Sequence, residues 1–268
     1  MGIVNRTPDS FYDGGRMGLD QSVEHALRLV AEGADVLDLG GVRAGPGPAV
    51  GEAEEADRLL PLVAELARAT TVPLSVETHR ARVAEAALAA GASIVNDVTG
   101  LSDPGLAPVV AAAGADLVVM HHGGQIRGRP RNPRYDDVVD AVRRQVLAYA
   151  ELAESAGVAR ERIIVDAGLD FGKNTWHSLE LVRRTAELTT LGYRYLVAPS
   201  RKDVVGETLD LPPDERLEGT LALTALSVLG GAAIVRVHDV SAAVRTVRMV
   251  EAAMGRRPPA APVRGLWE

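Results

Sequence analysis

Eight short runs rich in Val, Ile and Leu recur along this chain, each ending on Gly, Asp, Asn, His or Ser and each followed by a stretch with helical spacing. Such alternation is the sequence form of repeated βα units, and eight of them point to a closed parallel barrel ringed by helices. Strands are expected near 2–5, 35–40, 73–77, 93–96, 116–121, 162–166, 194–199 and 233–237. Helices are expected near 20–33, 52–69, 80–90, 104–113, 136–156, 176–190, 214–229 and 240–254. A (β/α)8 barrel takes about 250 residues. The 268 residues here therefore suit one α/β domain, a (β/α)8 TIM barrel over 1–255. Residues 256–268 carry Pro258, Pro259 and Pro262 without periodicity, and read as a C-terminal tail that is mobile or laid on the surface.

Composition narrows the function classes. Hydrophobic residues make up 47% and aromatics 3%, so the core must be built from Val, Leu, Ile and Ala, and little is left for stacking on bases. Formal charge is −7 and the basic residues are scattered apart from the stretch Arg127 to Arg134, which argues against nucleic acid as a partner. An anionic ligand would need a local pocket. The chain has no Cys, which removes disulfides, Cys-ligated zinc and thiol nucleophiles. No apolar run approaches the roughly 20 residues of a membrane span. A soluble, cytoplasmic protein is expected.

In a barrel of this kind the C-terminal ends of the strands share one mouth. Polar residues end nearly every apolar run: Asn5, the loop from Gly40 to Gly47, Glu77, Asn96 with Asp97, His121 with His122, Asp166, Ser200 to Lys202, and Arg236 with His238. Any one of these is as readily a cap or turn residue as a ligand; together they describe a site. Glu77, Asn96, Asp166 and Lys202 in an apolar cup suit a flat nitrogen-rich ring, since a guanidine-like edge offers a carboxylate two donors. The simpler reading is an Asp166–Lys202 ion pair that only braces the barrel. Asn5, Arg236 and His238 bring donors where the first and last strands meet, which suits a phosphate-type anion accompanied by Mg²⁺ on Asn5; for His238 alone, a helix N-cap or a satisfied histidine is an equally ready reading.

Several strings resemble, in order, the segments of the dihydropteroate synthase family. They are Met1-Gly-Ile-Val-Asn5-Arg-Thr-Pro-Asp-Ser-Phe11 with Asp13-Gly-Gly15, Glu32-Gly-Ala-Asp-Val-Leu-Asp-Leu-Gly-Gly41, Ser75-Val-Glu-Thr78, Asn96-Asp-Val-Thr-Gly100, Met120-His121, Asp166-Ala-Gly-Leu-Asp-Phe-Gly-Lys173, Ser200-Arg-Lys202, Arg216-Leu-Glu-Gly-Thr220 and Arg236-Val-His-Asp239. The resemblance runs from residue 1 to about 250. It implies a pterin-binding barrel that condenses 6-hydroxymethyl-7,8-dihydropterin pyrophosphate with p-aminobenzoate and releases pyrophosphate, a step of folate biosynthesis. It implies that Arg236, His238, Lys202 and Asp166 are catalytic, that Glu77, Asn96, Met120, Phe171, Lys173, Ser200 and Phe11 line the substrates, and that Asn5 holds Mg²⁺. Phe11, on the loop from Thr7 to Gly15, would shield the aminobenzoate as that loop closes.

The departures are specific. The family's second loop reads Gly-Gly-Glu-Ser-Thr-Arg-Pro-Gly, whereas Gly40-Gly-Val42-Arg43-Ala44-Gly45-Pro46-Gly47 stands here. Each lost anion contact is expected to cost about 3 kcal/mol of transition-state binding, roughly 10²- to 10³-fold in rate. Glu77 replaces Asp, Arg6 replaces an apolar residue, and Ala167 and Asp170 replace Pro and Gly. The strings Val4-Asn-Arg-Thr7, Gly41-Val-Arg-Ala-Gly-Pro-Gly47 and Asp170-Phe-Gly-Lys-Asn174 are similar to the actinobacterial second paralogue of the family, a set without established synthase turnover. Three readings stand: a synthase; a paralogue that binds a pterin or phosphorylated ligand, or regulates a partner enzyme, without turnover; and a phosphorylated-metabolite barrel of other chemistry, on fold analogy alone. The last two helices, Pro213–Leu229 and Ser241–Met254, are apolar on more than one face and are expected to pair two copies in a homodimer.

Overall fold

A computed structural model describes residues 1–6, 18–42, 49–124 and 132–264. Loop one with Phe11, most of loop two, and the core of the basic stretch after the fifth strand lie outside the described residues.

Eight parallel strands follow one another in sequence order around the sheet: β1 (Gly2–Asn5), β2 (Leu37–Gly40), β3 (Leu74–Glu77), β4 (Ile94–Asp97), β5 (Asp116–Met120), β6 (Ile163–Asp166), β7 (Arg194–Val197) and β8 (Ile234–Val235). The sheet closes because the chain just past β8 returns to β1. Gly2 bridges Val237, Ile3 donates to the Val237 carbonyl at 3.0 Å, and Val237 donates to the Met1 carbonyl at 2.9 Å.

Helices α1 (Leu19–Ala31), α2 (Glu52–Ala69), α3 (Ala81–Ala89), α4 (Leu106–Ala113) and α5 (Val138–Ser155) follow the first five strands as the spacing predicts. Asp137 caps α5 by accepting from the amides of Val139 and Asp140. Two differences come after β6. The helix expected over 176–190 is broken into α6 (Thr175–Arg183) and α7 (Thr185–Thr189), because the buried Thr185 hydroxyl takes up the carbonyls of Leu181 and Val182 and Arg184 leaves helical geometry. The sequence predicts no helix where α8 (Asp203–Leu209) stands; it is short, carries Gly206 in its middle, and is too brief to show periodicity. Helices α9 (Leu217–Leu229) and α10 (Val240–Ala253) complete the ring. Residues 256–264 form no regular element and are exposed.

The hydrophobic residues sort into two layers. Most of the buried ones pack between strands and helices, while Ile94, Val118, Ile164, Leu196 and Ala198, with Met1, Val36 and Ile234, fill the barrel's interior. Side chains alternate along a strand, so the residue two positions beyond each interior member also faces inward, one level nearer the mouth. That rule places Asp38, Asn96, Met120, Asp166 and Arg236 in one ring.

Candidate functional site

The centre of that ring is Asp38, fully buried on β2. Its carboxylate accepts from Ser75 Oγ at 2.5 Å, from Asn96 Nδ2 at 3.1 Å and from Arg236 Nε at 2.6 Å. A buried carboxyl group without water needs such partners for its oxygens. The second nitrogen of the Arg236 fork, Nη2, reaches Glu77 Oε2 at 2.7 Å. One guanidinium thus serves two carboxylates. Burial pushes the Glu77 carboxyl up, to about 7; Arg236 opposes the shift and Asp38 adds to it. Burial works against the charge on Arg236, but Asp38 and Glu77 more than offset it and hold the guanidinium firmly protonated.

Across the mouth, Asp166 ends β6 with Oδ1 accepting from the Gly168 amide at 2.7 Å. Burial raises its carboxyl, with Lys202 and the Gly168 amide opposing. Lys202 does not pair with Asp166 directly among the described contacts. Its ammonium donates to the Leu169 carbonyl at 2.8 Å and stands 5.0 Å from the centre of the Phe171 ring. The simple brace is therefore not what the structure contains, and Lys202 and Phe171 both stand beside the Asp166 turn. Burial lowers the Lys202 ammonium, with Asp166 opposing.

Lys173 behaves differently. It is 3% exposed, and its ammonium donates to the carbonyls of Gly168 (2.9 Å), Phe171 (2.8 Å) and His121 (3.3 Å) and meets His121 Nδ1 at 2.8 Å. Burial draws its ammonium down to about 7, with Asp166 opposing. His121 is pushed down to about 3 by burial and by Lys173, so it faces the ammonium as a neutral acceptor. Lys173, expected to line a substrate, has its donors directed into its own loop. Gly168 makes this packing possible: its φ is +62° and a Cβ there would lie 2.2 Å from the His121 carbonyl oxygen.

At the seam of β8 and β1, the ring of His238 meets Ser200 Oγ through Nδ1 at 2.9 Å, and the His238 amide donates to the same hydroxyl at 3.1 Å. Its ring does not act as a cap; one ring nitrogen is satisfied by the β7 loop, as the plain reading of a satisfied histidine has it. Burial, aided by Arg236 and Arg201, lowers His238 to about 4, so it is neutral at pH 7. Asn5 ends β1, and a Cβ on Gly40 would lie 2.9 Å from Asn5 Oδ1, so glycine leaves the amide its room. Among the described residues no His, Asp or Glu trio could cage a metal. One amide oxygen suits Mg²⁺ that arrives with phosphate oxygens and water, not a resident ion.

The departures from the family strings find partners. Asp170 sits at φ +68°, where glycine is at ease; its carboxylate accepts from Ser178 Oγ (2.9 Å) and the Val204 amide (3.1 Å), which fastens the β6 loop to α6 and α8. Arg6 reaches the carbonyls of Arg58 (2.6 Å) and Asp57 (3.4 Å) on α2. Pro61 inside that helix has no N–H to offer Asp57, so Arg6 supplies a missing donor. Arg216, 9% exposed, donates to the carbonyls of Arg201 and Leu211, and Thr220 Oγ1 accepts from the Arg201 amide, which holds the Ser200–Lys202 turn from behind.

The sequence reading passed over Asp38 and Ser75. Their signal was an acid and a hydroxyl in mid-strand, aligned with each other in the β2–β3 register.

A family described as "Pterin binding enzyme" matches residues 1–238. The chain is 51% identical over 273 residues to a Mycobacterium tuberculosis protein named "Inactive dihydropteroate synthase 2", covering 99% of this chain and 86% of that one. It is 39% identical over 259 residues to Escherichia coli dihydropteroate synthase, covering 96% and 92%. Among solved structures, Yersinia pestis dihydropteroate synthase with a sulfonamide drug complex superposes with a TM-score of 0.91 at 38% identity, over 96% of this chain and 93% of the other. The Xanthomonas albilineans enzyme with 4-aminobenzoic acid gives 0.88 at 40%, over 97% and 93%.

Proposed function

Because the chain belongs to the family of pterin-binding enzymes, of the dihydropteroate synthase type, we propose that its barrel mouth binds a pterin pyrophosphate and is built for condensation with p-aminobenzoate. The observation that carries this is the ring of inward-facing groups, Asp38, Glu77, Asn96, Asp166 and Arg236, gathered from five strands around one apolar cup. Asn96 and Asp166, with Met120 beside Asp166 and Lys202 nearby, would receive the donor-rich edge of the pterin. Arg236, His238 and Ser200 would receive the pyrophosphate, and Asn5 would give an amide oxygen to its Mg²⁺. Mg²⁺ would supply charge neutralisation on the leaving group.

In that reaction the bond from the pterin methylene carbon to pyrophosphate oxygen breaks, the amine nitrogen of p-aminobenzoate bonds to the carbon, and the amine loses a proton. The carboxylates Asp166 and Glu77 would stabilise the positive charge growing on the ring, while Arg236 holds the departing anion. Phe11, by the family pattern, would shield the aminobenzoate, while Lys173 holds the loop that carries Phe171. The cytoplasm is the proposed location, in keeping with the absence of Cys.

A second reading, binding without turnover, is favoured by one observation: Arg236 is already engaged by two carboxylates. The test is calorimetric titration of the full chain with the pterin pyrophosphate and Mg²⁺, followed by measurement of pyrophosphate release on adding p-aminobenzoate. Release dependent on p-aminobenzoate establishes the synthase. Binding without release selects the second reading, and no binding overturns both.

We also propose a homodimer through α9 and α10, where Leu226, Leu229 and Met249 are 52%, 52% and 67% exposed. Sedimentation should show a dimer at micromolar concentration that Leu226→Asp with Met249→Asp converts to monomer; a wild-type monomer would refute it.

A further inference from the structure

Two donors of the pocket's strongest cation are already engaged by carboxyl groups. Arg236 leaves β8 and crosses the mouth to β2 and β3, where Nε is bound by Asp38 at 2.6 Å and Nη2 by Glu77 at 2.7 Å. The side chains of Arg236, Asp38 and Glu77 are 17%, 0% and 10% exposed, so water screens these contacts little. When Glu77 is ionised, two carboxylates against one guanidinium leave the trio with one net negative charge, an environment that resists a second anion. Nε and Nη2 are both engaged, so an anion that takes the two-donor edge of Arg236 must displace a carboxylate.

The two holds are unequal. Asp38 is fixed by Ser75 and Asn96 as well as by Arg236, whereas Glu77 has no other hydrogen-bonding side chain than Arg236 among the described contacts. Glu77 is thus the movable half. Its reach is a matter of one methylene: a C–C bond is about 1.5 Å long, so the aspartate of the family pattern, on the same backbone, would fall out of contact with Nη2.

We infer that Glu77 is the specificity-determining residue of this pocket, clamping Arg236 against Asp38 so that the anion half of the site opens only when a ring-borne pair of donors draws the Glu77 carboxylate away. The inference rests on the proposed function in taking Arg236 as the group that receives the anion and a pterin as the ring that meets Glu77. It turns a substitution that looks conservative into a coupling device: ring and anion bind together far better than the anion does alone.

The experiment is calorimetric titration of the full chain with inorganic pyrophosphate and Mg²⁺, with and without saturating 6-hydroxymethylpterin, in wild type, Glu77→Asp, Glu77→Gln and Arg236→Met. The wild type should bind pyrophosphate weakly alone and about tenfold more tightly with the pterin present, the size of one close charge pair of about 1.4 kcal/mol. Both Glu77 variants should bind pyrophosphate about tenfold more tightly than wild type without the pterin, and gain little from adding it. Glu77→Gln keeps the side chain's length and removes only its charge, so it serves if the shorter residue disturbs folding. Loss of binding in Arg236→Met, with neither Glu77 variant stronger than wild type, overturns the clamp and leaves the anion site standing. Unchanged binding in Arg236→Met overturns the assignment of the anion to Arg236, and the clamp with it.

Discussion

Two sides of the barrel mouth use cations in different ways. On the side of β2, β3 and β8, Arg236 faces the carboxylates of Asp38 and Glu77. On the side of β5 and β6, Lys173 faces backbone carbonyls and a neutral His121. A guanidinium paired with side chains can exchange one partner for a ligand, because side chains rotate. An ammonium caged by carbonyls has nowhere to send its donors without unfolding the loop that offers them. The first arrangement is a switchable surface, and the second is a fastening. The Asp166 turn, with Lys202 and Phe171 beside it, rests on that fastening.

The sharpest way to break the comparison is to remove its most buried member. Asp38→Ala leaves the Arg236 guanidinium with only the mobile Glu77 and strands Ser75 and Asn96; loss of one partner of a buried pair costs about 3–5 kcal/mol. Urea denaturation should show a loss of that order. A loss under 1 kcal/mol would mean that Glu77 alone suffices to hold the cation.

Lys173→Met keeps the volume but removes the three N–H donors that three carbonyls and an imidazole share, which should cost about 2–3 kcal/mol. Pterin affinity should fall as well, because the Gly168 and Phe171 segment that carries Asp166 and the ring loses its anchor. Unaltered stability and affinity would show that the cage is incidental.

The Glu77 carboxyl carries a smaller, pH-dependent contribution. Its folded value, about 7, lies above its ordinary one, so it favours the fold while protonated and that stability is lost as pH rises. Arg236, Asp38, Lys202 and Glu55 are the charges that face it. Between pH 5 and pH 8 the wild type should lose stability relative to Glu77→Gln, and a flat difference across that range would refute the shift.

Arg6→Ala should be smallest, about 1 kcal/mol. It removes the donor to the α2 carbonyls beside Pro61, far from the ring. Pyrophosphate binding unaffected by this change would confine the mouth's chemistry to the inward-facing set.

The strands were legible in the sequence because interior and exterior positions are both apolar there, and each run stops where a polar residue turns to the mouth. The same rule made Asn96, Asp166 and Arg236 visible as a set. What escaped was tertiary in origin. Thr185 breaks a helix by competing for carbonyls, and α8 is held by Asp170 and Arg216, partners remote in sequence. The types of Lys173 and Glu77 were plain, but not their roles: one residue faces carbonyls and the other a guanidinium. The family strings located Asp170 as a departure, and its left-handed backbone with two hydrogen-bond partners explains how aspartate stands in a glycine's place.

The central claim is that one ring of side chains, delivered by successive strands, forms one ligand cavity. A crystal structure of the chain with 6-hydroxymethylpterin tests it most directly. The account predicts the ring edge within hydrogen-bonding distance of Asp166 and Asn96, with Glu77 turned from Arg236 toward the pterin. A pterin bound elsewhere, or bound here with the Glu77–Arg236 pair still closed, would contradict it.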